Sequence, residues 1–171
     1  MALVHCSKAS TPLCRDTHGK ADHVTPDDVQ EARQATEYLF DRGAIRIAVV
    51  GARTAPEDLD GLHDAVEGNA QLRMRGVLEA CDARGVAFDS RLLGNTGHDW
   101  TIGSGARVTQ WLIDSGVPFD GIVAFNDQLA LGALFTLAAN GISVPDQVQV
   151  IGFDNIEEAA YFQPPLTTMD S

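Results

Sequence analysis

The run from Gly121 to Thr168 constrains the fold more than any other part of this chain. Gly121-Ile122-Val123-Ala124-Phe125 is a short apolar segment ending in Asn126-Asp127, the pattern of a parallel strand buried on both faces. Asn126 or Asp127 then caps a helix with apolar positions Leu129, Ala130, Ala133, Leu134 and Leu137, and Gly141 ends it. Val148 to Phe153 is the next strand, closed by the polar pair Asp154-Asn155. Two consecutive strands thus carry polar side chains to one carboxyl-end edge of a sheet, where open α/β sheets bind small ligands.

The upstream sequence repeats this alternation. Thr25-Pro26-Asp27-Asp28 is a helix start, and Val29, Ala32, Ala35, Thr36 and Leu39 recur at helical spacing as far as about Arg42, before Gly43. Ile45 to Val50 is a strand closed by Gly51, Leu72 to Arg84 a helix ended by Gly85, and Ser90 to Gly94 a short strand. A further helix runs from Gly103 to about Asp114. Such alternation, with connections of crossover length, gives an α/β fold: a parallel sheet between two helical layers, a three-layer α/β/α sandwich. Residues 52–68 are acidic and loop-like, with space for a short helix. Residues 1–27 have loop composition, with Ala2-Leu3-Val4 and Ala21 to Thr25 as candidate short strands.

Composition excludes several function classes. The net charge of −12 opposes binding to DNA phosphates, which takes a concentrated Lys/Arg face. Cys6, Cys14 and Cys81 are odd in number and irregularly spaced, which does not describe a disulfide framework and fits a reduced, cytoplasmic setting. No segment approaches the roughly 20 apolar residues of a membrane span. The start Met1-Ala2-Leu3-Val4-His5 lacks the pattern of a secretory leader.

Catalytic and metal motifs are weak. Gly103-Ser104-Gly105 lacks the third glycine of a dinucleotide loop, Ser104 has no nucleophile-elbow context, and the neighbours His98 and Asp99 point apart in an extended chain. No enzyme and no cofactor is expected. His5, Cys6, Cys14, His18 and His23 match no zinc spacing, so no metal site is expected. Trp111, between Val108 and Leu112 in a helix, is expected in the core.

The strand-Asn-Asp-x-x-Ala-x-Gly run at 122–132, Val144-Pro145-Asp146, Gly152-Phe153-Asp154-Asn155 and Pro164-Pro165-Leu166-Thr167-Thr168 closely resemble the effector-binding domain of LacI/GalR-type bacterial transcriptional regulators, a periplasmic-binding-protein-like type I fold. The match is specific over these fifty residues and weaker over 24–120. The resemblance implies a division into a remnant of the first lobe with a connecting segment (1–27), a C-terminal effector-binding lobe (28–165) and the start of a crossover back to the first lobe (166–171). Nothing resembles the family's helix-turn-helix head, so DNA binding is expected only through a head outside this chain.

The resemblance also implies roles. Arg73, three residues before Gly76, points into the cleft, where a guanidinium's fixed donors suit vicinal hydroxyls or a carboxylate. Trp100 packs an aromatic face against the effector. Asn126 and Asp154 offer donors and acceptors to a polyol, with Asp127 well placed to take the helix cap and free Asn126. Leu131 and Leu134, on a helix apolar all round, and Tyr161 and Phe162 form a homodimer contact. The implied function is sensing of a small effector, a carbohydrate first, that controls operator binding allosterically. The alternative is a solute-binding protein of a transporter or chemoreceptor with the same fold, against which the lack of a secretory leader argues.

Overall fold

The computed structural model describes residues 3–4, 27–66 and 68–170. The candidate strand at Ala21 to Thr25 and the His5, Cys6, Cys14, His18 and His23 group lie outside them. The elements in chain order are β1 (Leu3–Val4), α1 (Asp28–Asp41), β2 (Ile47–Ala52), α2 (Asn69–Arg84), β3 (Leu93–Asn95), α3 (Ile102–Asp114), β4 (Gly121–Ala124), α4 (Asp127–Ala139), β5 (Gln149–Phe153) and β6 (Thr167–Met169). The six strands form one sheet in the order β1-β6-β5-β4-β2-β3, and every neighbouring pair is parallel. The chain steps from β2 outward to β3 through α2, then back over β2 to β4 through α3, and on to β5 through α4. Right-handed crossovers in opposite directions place α2 and α4 on opposite faces of the sheet. Accordingly α1 packs on α2, and α3 on α4.

The expected α/β/α sandwich is the one observed, with differences at particular ends. β2 begins at Ile47 rather than Ile45, because Asp120 Oδ1 accepts the backbone N–H groups of Ile45 and Arg46 at 2.8 and 2.7 Å and draws them away from the ladder. Ser90–Leu92 is a 3₁₀ turn rather than strand, since the Asp89 carboxylate accepts from Arg91 N at 3.0 Å. The acidic segment holds a longer 3₁₀ helix, Pro56–Asp64, anchored by buried Leu62. β6 is a strand that the sequence pattern did not distinguish, and it carries β1 on its outer side. Trp111 is 52% exposed instead of in the core, because α3 buries the stripe Ser104, Gly105, Val108, Thr109 and Leu112 and turns position 111 outward.

The strands of the sheet centre are fully apolar and buried: Ala48, Val49 and Val50 of β2, Ile122, Val123 and Ala124 of β4, and Ile151 and Phe153 of β5. Two glycine contacts set how closely the helices pack. A methyl group on Gly76 of α2 would run into the backbone of Val29 and Arg33 in α1. One on Gly132 of α4 would meet the backbone of Ile102 and Ala106 in α3. Both pairs of helices therefore touch backbone to backbone. Gly132→Ala is expected to destabilise the fold by about 1–3 kcal/mol through overpacking, measured by urea denaturation; a neutral result would mean that the α3–α4 seat yields.

Candidate ligand-binding site

The strand order reverses between β2 and β4, and ligands of open α/β sheets sit outside the carboxyl ends of strands at such a switch point. Here those ends are Gly51 to Arg53, Phe125-Asn126 and, one strand further, Asp154. The N-termini of α1, α2, α3 and α4 reach the same edge, because each helix runs back across the sheet to a parallel strand that begins at the opposite edge.

Arg73, in the second turn of α2, is the hub. It is only 4% exposed. Its Nε donates to Asp28 Oδ1 at 2.7 Å and its Nη1 to the carbonyl of Phe125. Its guanidinium carbon lies 4.4 Å from the Phe153 ring centroid and 5.9 Å from that of Trp100. The Nη2 edge faces Asp154, with Oδ1 4.0 Å away, which is beyond hydrogen-bond distance. Asp28 opens α1, and the close approach allowed by Gly76 brings it onto Arg73.

Trp100 sits just before α3, whose start is closed by a capping box between Thr101 and Ser104. Its indole Nε1 donates to Gly51 O at 3.1 Å, and its ring meets Phe125 edge-on at 6.2 Å. With the N–H committed to the backbone, the ring offers a ligand aromatic surface rather than a donor. Arg53 lies over this ring, 4.8 Å from the centroid, with Nε donating to Gly97 O at 2.9 Å.

Asn126, not Asp127, caps α4. Its Oδ1 accepts from Leu129 N at 2.8 Å and its Nδ2 donates to Trp100 O at 3.1 Å. The amide thus ties the Trp100 loop to the start of α4, and both of its ends are in use. Asp127 is instead buried under the edge, where Oδ1 accepts from the Thr168 hydroxyl at 2.7 Å and Oδ2 from Ile156 N at 3.0 Å. Burial raises its pKa to about 6, against the lowering effect of these two hydrogen bonds.

Asp154 is half-exposed, with 45% of its side chain open to solvent. Burial of the rest pushes its pKa up, Arg73 pulls it down and Asp28 pushes it up again. Its backbone is in the left-handed region at φ 97°, followed by Asn155 at φ 48°. This conformation favours glycine, and side-chain-bearing residues held in it mark functional sites when neighbours enforce it. Here Asp154 N donates to Met169 O and Asn155 N to Thr168 Oγ1, each at 3.2 Å.

Arg73, Trp100, Asn126 and Asp154 lie on one edge, but Asn126, expected to be freed for a ligand by Asp127, instead spends its amide on the cap of α4 and on the Trp100 carbonyl. Leu131 and Leu134 are buried within the chain, and Phe135, 64% exposed, is the large apolar side chain that α4 turns outward. Tyr161 is exposed and Phe162 half-buried. Sequence reasoning did not single out Asp28, Arg53 or Thr168. Arg53 follows a strand end directly, which is the one local signal it carried.

Two outcomes follow from this geometry. Asp28→Ala leaves the Arg73 charge buried without its carboxylate and is expected to cost about 3 kcal/mol or more in chemical denaturation; a loss under about 1 kcal/mol would show that the Phe125 carbonyl and Asp154 suffice. The raised pKa of Asp127 means that between about pH 4 and pH 6 the folded chain keeps a proton the unfolded chain has lost. Its contribution therefore favours the folded state at low pH and is lost as pH rises through about 6. Relative to Asp127→Asn, the unmodified chain should lose about 2–3 kcal/mol over that window; parallel stability profiles would refute it.

The chain matches a family model described as a periplasmic binding protein-like domain over residues 36–171. It is 33% identical over 144 residues to the HTH-type transcriptional regulator AscG of Escherichia coli (strain K12), covering 84% of this chain and 39% of that protein. It thus spans less than half the length of this curated relative. A LacI-type transcription regulator from Bifidobacterium animalis has a solved structure similar at TM-score 0.82 and 41% identity, covering 90% of this chain and 54% of that one. Transcriptional regulator CelR, solved as a cellobiose complex, is similar at TM-score 0.69 and 31% identity, over 83% of this chain and 39% of that one. With the parallel sheet, the switch-point edge and these matches together, the chain belongs to the periplasmic binding protein-like domain family, among relatives that are LacI-type transcriptional regulators.

Proposed function

We propose that this chain is the effector-sensing lobe of a LacI-type regulator and that its carboxyl edge forms one wall of a carbohydrate site. The observation that carries this reading is the juxtaposition of Arg73 Nη2 and the Asp154 carboxylate, 4.0 Å apart, with the Trp100 ring 5.9 Å from the same guanidinium. A sugar hydroxyl both donates and accepts, so it bridges a guanidinium and a carboxylate held just too far apart to bond each other. The apolar face of a sugar ring packs on an indole whose own N–H is already satisfied. The cellobiose complex of CelR supports the ligand class.

In the whole protein, an effector bound between two lobes shifts the population of lobe arrangements and so alters operator affinity. DNA contact belongs to a head domain, consistent with the −12 charge here, and the setting is cytoplasmic. Homodimerisation is assigned to α4 and the segment around Tyr161 and Phe162, where Phe135 and Tyr161 are exposed. No catalytic role is assigned.

A thermal-shift screen of the chain against neutral sugars, sugar phosphates and nucleobases tests the reading. At tenfold excess over Kd a true ligand raises Tm by about 3–6 °C. One wall alone holds its effector weakly, so the Kd is expected well above micromolar. Asp154→Gly separates function from fold: it relieves the backbone strain at φ 97° and is expected to raise the unliganded Tm while abolishing the ligand shift. A sugar shift that survives in this variant would refute the assigned role of Asp154.

A further inference from the structure

Among the described residues, Arg53 is the arginine of this edge whose charge no carboxylate matches. Arg73 is paired with Asp28 at 2.7 Å, and Arg107, on α3 nearby, lies 3.7 Å from Asp99. Arg53, half-buried, uses only its Nε, on the Gly97 carbonyl, and its guanidinium lies over Trp100. Among the described residues its two Nη groups have no hydrogen-bond or ion-pair partner. A guanidinium fixed by its stem and by a ring beneath it, with both terminal amino groups unspent, is a preorganised fork for two oxygens of an anion.

The charges also separate along the sheet. The acids Asp154 and Asp127 stand at the ends of β5 and β4, whereas Arg53 stands just past the end of β2, on the far side of β4. Two strand spacings, about 10 Å, separate β5 from β2. The edge therefore offers a carboxylate at one end, an aromatic platform toward the other, and an unmatched cation over that platform.

Resting on the sugar-sensing reading above, we infer that the effector is an anionic carbohydrate, whose ring hydroxyls meet Arg73 and Asp154 and whose phosphate or carboxylate meets Arg53. Arg53 thereby acts as the specificity determinant of the site, discriminating charged saccharides from their neutral parents. A neutral sugar in the same place would leave the Nη groups of Arg53 without a partner as it displaced their water, which disfavours it.

Titration of the whole chain, followed by tryptophan fluorescence and calorimetry, decides the matter. The probes are glucose and galactose, each beside its 6-phosphate and its uronate. An anionic member is expected to bind about tenfold or more tighter than its neutral parent. Whether the phosphate or the uronate gains identifies the anion. Arg53→Gln should abolish the preference, so that the anionic probe and its neutral parent bind that variant to within about twofold of each other. Arg53→Lys should keep part of the preference, since it keeps the charge. Far-UV circular dichroism and Tm of both variants establish that they fold. Neutral parents that bind as tightly as their anions, a preference that survives Arg53→Gln, or its equal loss in the Lys and Gln variants would overturn the inference and leave the sugar-sensing reading standing. If no saccharide binds, or if Asp154→Gly weakens none, the sensing reading itself fails and the inference with it.

Discussion

The site depends on keeping one buried guanidinium charged and in place. Arg73 is almost wholly removed from solvent, so its charge requires a partner within the protein, and Asp28 at 2.7 Å provides it. That partner comes from another helix, 45 positions earlier in the chain. It arrives only because Gly76 lets the α1 and α2 backbones touch. Strand ends then settle around the fixed charge: the Phe125 carbonyl accepts from it, the Phe153 ring packs on it, and Asp154 stands across a gap from it. Packing of helix on helix and the polarity of the carboxyl edge are thus one arrangement.

A second arrangement lies beneath the first and works in the opposite sense. Asp127 is buried with no cation in contact among the described residues, and its carboxylate gathers the Thr168 hydroxyl and the Ile156 amide. Thr168 in turn accepts from the Asn155 amide. These bonds join the start of α4, the turn after β5 and strand β6. They hold Asp154 and Asn155 in a backbone conformation that neither would adopt alone. Burial of the Asp127 carboxylate thus goes together with a fixed direction for the carboxylate at Asp154.

Much of this was legible in the sequence. Apolar strands ending in Asn-Asp and Asp-Asn announce a parallel sheet with a polar carboxyl edge, since both signals are local. What escaped is nonlocal. Asn126 and Asp127 are equally good caps by residue type, and only the positions of Thr168 and Ile156 decide that Asp127 is drawn under the sheet while Asn126 caps. Arg53 resembles any arginine after a strand until the Trp100 ring is brought beneath it from 47 residues away. Leu131 and Leu134 are apolar on a helix apolar all round, so periodicity does not say which side faces α3, which the sheet and which solvent; Phe135 holds the outward position. β6 is only three residues long and follows two prolines, too short a run to carry a pattern.

The backbone-on-backbone seat between α3 and α4 has a mechanical meaning. Where side chains separate two helices, rotamer changes absorb small displacements. At Gly105 and Gly132 no such layer exists, and close-packed main chains have nothing between them to compress. The Asn126 amide couples the Trp100 loop to the first turn of this pair. The Trp100 loop and the two helices are therefore joined with no compressible layer between them, and are expected to move together as one body.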